Sequence, residues 1–180
     1  MKLHKPLIIC SAIVFAVAAM APSASADVVV NNGTLDFDPS GAPAIANFSA
    51  ATLNGTPQLT SVTVNPFTIV DASGSAAGWN VTLTVANLVN AGAGNDTIAA
   101  SNISMSAPVV TGAGASSLTG VTGIASAGGF AAGEKIVVAT AGNGLGTYLV
   151  SPRILKLTVP VTGQAGTYTS VATITVNSGP

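Results

Sequence analysis

Two aspartates stand two residues apart in the stretch Leu35-Asp36-Phe37-Asp38-Pro39-Ser40-Gly41. In an extended chain, side chains at i and i+2 share a face. Asp36 and Asp38 would then form a carboxylate pair of the kind that does acid/base work on glycosidic bonds. The stretch runs straight into Pro39-Ser40-Gly41, however, and in such turns an aspartate accepts hydrogen bonds from backbone amides. A turn or solvated edge is therefore the expected reading. The chain holds one His, His4, and one Cys, Cys10, both within its first ten residues. Beyond them no Ser-His-Asp or Cys-His device and no His/Cys zinc site can be built. A non-catalytic protein without metal or cofactor is expected.

Ala91-Gly-Ala-Gly-Asn-Asp-Thr-Ile-Ala99 has the look of one Gly-rich nonapeptide from a calcium-binding β-roll. Calcium needs about 6–8 oxygen ligands, which only stacked copies supply. The related stretch Ala141 to Leu149 lacks the aspartate, so the copy stands alone. A hairpin loop with Asn95 and Asp96 at turn positions is expected instead. Asn47, Asn80 and Asn102 have the spacing of glycosylation acceptors. Thr/Asn-rich strands give that spacing by chance, and no glycan is assigned.

The only tryptophan, Trp79, heads the run Trp79-Asn-Val-Thr-Leu-Thr-Val85. An indole there is either a core plug between two sheets or a recognition group at the surface. Period-2 alternation puts it on one face with Val81, Leu83 and Val85, the face expected to be buried.

The elements that position these residues begin after a leader. Lys2, His4 and Lys5 precede the apolar run Leu7 to Met20, and Ala24-Ser25-Ala26 supplies small residues for signal peptidase. The apolar run is too short for a stable membrane anchor. Residues 1–26 are read as a cleaved signal peptide and 27–180 as one exported domain. Without its only cysteine, that domain cannot rely on disulfides. Lys135, Arg153 and Lys156 face six acidic residues there, a net of −3. Neither nucleic acid nor anionic lipid is an expected partner. Sparse charge with abundant Gly and Ala leaves self-association open.

Within the domain, alternating segments bounded by Gly, Pro, Asn and Ser dominate. Leu155, Leu157 and Val159 alternate with Ile154, Lys156 and Thr158; Ile103 and Met105 alternate with Asn102, Ser104 and Ser106. Tyr168, Ser170, Ala172, Ile174 and Val176 form one face of a last strand. One buried and one solvated face is the antiparallel pattern. The fold class expected is all-β, an antiparallel β-sandwich of Greek-key, Ig-like type. Between Leu59 and Val70 the apolar phase shifts from Val62 and Val64 to Phe67 and Ile69 across Asn65-Pro66. An edge, or a strand crossing between sheets, is expected there. Thr111 to Gly133, rich in Gly and Ala, reads as a long mobile loop or a pair of short strands.

Taken together, these landmarks resemble the WxL domain family. Val70 to Val85 carries an Asp, a Gly-containing turn and Gly78-Trp79 leading a strand, like the segment around that family's first motif. Leu155 to Pro180 carries Val159-Pro160, Gly166-Thr167-Tyr168-Thr169, an alternating strand and a terminal Pro, like its closing segment. Gly33 to Ala50 sits where the family has its entry strand. The departures are Val81 for Leu in the first motif and Ile174 for the second Trp, in Ile174-Thr175-Val176. The resemblance implies a secreted bacterial cell-surface domain held non-covalently on peptidoglycan. The chain stops at Pro180 without a sorting motif or apolar tail, which agrees with such attachment. The positions it points to for binding are Trp79, Val81, Ile174 and Val176, with Tyr168 and Tyr148 as helpers.

Three functions follow as expectations. The first is the wall-binding surface domain, whose partner is peptidoglycan or another surface component. The second is a structural subunit of a fibre, matrix or surface layer, in which Asp27-Val-Val-Val-Asn-Asn-Gly33 adds as a strand to a neighbour. The third, an enzyme on wall polysaccharide, rests on Asp36 and Asp38 alone.

Overall fold

A computed structural model describes residues 28–151 and 154–180. The signal-peptide reading, with His4 and Cys10, falls outside the described residues, as do Asp27 and Arg153. Among the described residues there is no α-helix, only strands and four short 3-10 turns. The protein is all-β, and its antiparallel sheets stack as a sandwich.

The first layer is two sheets joined by shared runs of chain. One part orders β1 (Leu35–Phe37), β3 (Phe67–Asp71), β11 (Gly146–Val150) and β8 (Val110–Ala113). The other orders β2 (Gln58–Thr63), β12 (Ile154–Val159) and β7 (Ile103–Met105). Each consecutive pair, β2–β3, β7–β8 and β11–β12, is thus one run of chain shared by both parts. The buried side chains change parity across every break. Val62 and Val64 give way to Phe67 and Ile69, and Tyr148 and Val150 to Leu155 and Leu157. Pro66 and Pro108 fall at two of the three breaks. Proline lacks the ladder donor, so it belongs where pairing is interrupted and the strand re-aims. The phase shift at Asn65-Pro66 therefore marks the crossing that the sequence led us to expect, repeated in two neighbouring strands.

The second layer orders β13 (Ala172–Ser178), β4 (Trp79–Val85), β10 (Glu134–Ala139) and β9 (Val121–Gly123). Its centre is β4, which pairs with β13 from Trp79↔Ser178 to Val85↔Ala172. Trp79, Val81, Leu83 and Val85 all face the core, as their alternation requires. Beyond β4, a hairpin of β5 (Leu88–Asn90) and β6 (Asp96–Ile98) extends the sheet. The stretch before β13 joins it through paired hydrogen bonds between Val89 and Thr169. Thr111 to Gly133 supplies β9 and most of β8, which pair with different neighbours rather than each other.

How the two layers meet at their edges decides the rest. On one side Met105 and Ser126 exchange backbone hydrogen bonds and tie β7 to the end of β9. On the other side lie the two edge strands β2 and β13. Near Asp71 the short β1 covers that seam, lying on β3 and close to β13. Beyond β1 the chain makes a 3-10 turn at Pro39–Gly41 and continues irregularly along β2, meeting it at Ile45↔Val64, through Ser49 N–H to Ser61 O, and through the Thr60 hydroxyl, which donates to the Ser49 carbonyl. The entry strand expected over Gly33 to Ala50 is thus three residues long. Pro39 and Pro43 remove ladder donors at the point where it would have continued.

Candidate functional site

The end of the sandwich holding Trp79 is closed. The indole is fully buried, and its Nε1–H donates to the Gly144 carbonyl at 2.8 Å. The Tyr148 ring packs beside it at 5.5 Å between centroids. Tyr148 donates its hydroxyl to the carbonyls of Ser117 at 2.8 Å and Leu145 at 3.0 Å. Burial, and then the Asp71 charge, push the Tyr148 phenol above its ordinary value. The glycines beside the indole are required by packing. A Cβ on Gly78 would stand 2.4 Å from the Ala139 carbonyl oxygen, and one on Gly144 would stand 2.6 Å from Trp79 Nε1. Gly78-Trp79 is therefore a core device. Direct contact of Trp79 or Val81 with a ligand does not fit this fold, because neither side chain has any exposed surface. The same holds for the Tyr148 ring.

The carboxylates are engaged in local turns. Asp38 accepts from Ser40 N–H at 2.8 Å and Ser40 Oγ at 2.7 Å, and these bonds hold its carboxyl below the usual range. Asp36 accepts from the Phe37 amide at 2.7 Å. Asn95 and Asp96 occupy the β5–β6 hairpin, with Asn95 at φ 65°. The hairpin reading of Ala91 to Ala99 thus holds. Among the described residues no three His, Cys, Asp or Glu side chains come together as a metal cluster.

The opposite end of β4 is where the sandwich opens. A cavity of about 1150 Å³ lies between the sheets there. Its floor is core: Val85, Leu88, Ile98, Ile103, Leu155 and Leu157, all at least nine-tenths buried. One wall is the irregular segment Pro43 to Leu53; the other is Gln164 to Ser170 with Ala172 and Ile174 of β13. Among the described residues no charged side chain lines it. Its polar side chains are amides and hydroxyls: Asn47, Gln164 and Thr167 are exposed, and Thr60 is buried.

A latch holds the second wall. The Tyr168 hydroxyl donates to Asp96 Oδ2, and the Gln164 amide donates to the same carboxylate oxygen at 3.0 Å. These bonds depress the Asp96 carboxyl, the tyrosine bond first. Partial desolvation and the Asp96 hydrogen bond raise the Tyr168 phenol. Asn90, buried under the same loop, donates to the Ala165 carbonyl at 3.4 Å. A Cβ on Gly166 would lie 2.3 Å from Asn90 Nδ2, which explains the glycine.

Of the positions singled out from the sequence, Tyr168 and Ile174 come together on this wall. Val176 is half-buried on β13 outside the cavity lining, while Trp79 and Val81 sit in the core. The floor and the first wall were not anticipated. The available signal was the spacing in Ile45-Ala-Asn-Phe48, which departs from period 2 just after two prolines. No family model matches the chain, and no curated protein or solved structure is similar to it.

Proposed function

We propose that this chain is an exported, non-catalytic structural subunit of an extracellular assembly, whose open groove receives an extended segment of a protein partner. The supporting observation is the groove itself: core side chains form its floor, no charged side chain among the described residues lines it, and it lies at a seam between two edge strands. Apolar grooves beside unpaired edges take extended peptides, since the edge offers main-chain hydrogen bonds and the floor takes alternate side chains. A polysaccharide, dense in hydroxyls, would find few polar partners on this floor. Sparse charge across the domain also permits close association. Sedimentation of the purified protein over a concentration series tests the reading. Assembly that grows with concentration and disappears in Ala172→Glu supports it; a monomer at every concentration refutes it.

The second reading is wall attachment, as the WxL resemblance implies. It is favoured by one observation, that Tyr168 and Ile174 share the groove wall. On this reading the polymer contact runs through Tyr168, and Trp79 serves only the fold. Pelleting with isolated sacculi distinguishes the two: Tyr168→Ala lowers the bound fraction and Trp79→Phe leaves it unchanged. No enrichment of the parent protein in the pellet would remove this reading.

A further inference from the structure

The most exposed large apolar side chains of the described residues are Val28, Val29 and Val30, at 85%, 83% and 84%. They are consecutive. The chain is first engaged by the sheet at Gly33, whose N–H donates to the Ala72 carbonyl at 2.8 Å, followed by Leu35 opposite Asp71. Val28 to Asn32 is therefore a short arm ahead of the fold. β-Branched residues favour extended backbone, and alternate valines of an extended arm face the same way.

The groove has the complementary features. Its floor is aliphatic, and among the described residues no charged side chain lines it and β13 has ladder partners on its β4 side only. We infer that the Val28–Val30 arm of one copy adds as a strand in the groove of a second copy, with alternate valines turned to the floor.

The groove is taken as that of a second copy. Gly33 joins the fold beside Ala72, at the Trp79 end of β4, whereas the groove opens at the Val85 end, beside Ala172. Arm and groove are different surfaces, so the contact is heterologous and repeats from copy to copy into a filament or a ring. This inference rests on the assembly reading above and names its occupant.

The test uses the protein as exported by its expressing host, in parent form and as Val28→Asp/Val30→Asp. Sedimentation velocity is expected to show the double variant's association weakened by about 100-fold or more, because two valines leave an apolar contact. A labelled peptide spanning Asp27 to Gly33 is expected to bind the double variant and to fail on the same variant carrying Ala172→Glu. The peptide also caps growth of the parent assembly. Iodide quenching of Trp79, silent in every variant, certifies that each is folded. If the double variant assembles like the parent while Ala172→Glu does not, the arm is excluded as occupant and the groove reading survives. If Ala172→Glu also assembles like the parent, both fall.

Discussion

Replacing Trp79 by Phe tests whether the indole is a core plug. The substitution keeps an aromatic ring against Tyr148 but removes the Nε1–H that serves the Gly144 carbonyl. Leaving that buried acceptor without its donor costs about 1–3 kcal/mol. The smaller ring opens roughly 40 Å³, and at about 24 cal/mol per Å³ the void adds about 1 kcal/mol. A total of about 2–4 kcal/mol is a large part of the ~5–15 kcal/mol that holds a domain together. At roughly 2–4 °C per kcal/mol for a domain of this length, the melting midpoint falls by about 5–15 °C. Far-ultraviolet circular dichroism gives the readout, since the variant has no tryptophan left to follow. In the parent protein the fully buried indole is expected to resist iodide until the same transition. A variant melting within about 2 °C of the parent would refute the plug. Efficient quenching of the native parent would do the same.

Four further outcomes follow from the structure. Gly144→Ala places a methyl 2.6 Å from the indole nitrogen at a φ of +88°, and strain of about 1–3 kcal/mol or more should appear in urea unfolding. The Ser126 hydroxyl is buried with no hydrogen-bond partner among the described residues, so Ser126→Ala should raise stability by up to about 1 kcal/mol in the same assay. Tyr168→Phe removes the hydroxyl that holds Gln164 to Ser170, and amide exchange in that wall should quicken while the Trp79 end stays protected. The same latch depends on pH at both ends. The Asp96 carboxyl is lowered in the fold, so its contribution is present above its ordinary 3.8 and lost as acid protonates it below that. The Tyr168 phenol is raised, so its contribution is complete below the ordinary 10.0 and lost in stronger alkali. Protection of the 164–170 amides, taken as their exchange rate relative to the intrinsic rate at the same pH, should therefore be greatest between those limits, and a flat protection profile would argue against the latch.

Much of the fold was legible because strand periodicity is local. The buried faces of β4, β7 and β12 follow from alternation alone, and each agrees with the structure at Leu83, Ile103 and Leu157. The shift across Asn65-Pro66 was readable for the same reason, since a change of parity forces the chain to re-aim. The matching shifts between β7 and β8 and between β11 and β12 were equally present in the sequence but lay in segments with weaker patterns. Asn95 read correctly as a hairpin-turn position, because Asn beside Gly tolerates the left-handed backbone such turns need, while Asp96 proved to be the first residue of β6, paired with Asn90.

Which edges meet in space is decided by tertiary structure. Alternation put Trp79 on a buried face, yet whether that face was covered depended on Gly144 and Tyr148, 65 and 69 residues away. Tyr168 and Ile174 lie close in sequence, but they share a wall only because Asp96 draws the tyrosine across from another hairpin. The groove is a property of pairing: β1 stops after Phe37, and β2 and β13 remain as edges with the core showing between them. Periodicity records which side chains prefer burial. It carries no record of where two sheets fail to close, because that gap is set by long-range register and by a strand that ends early.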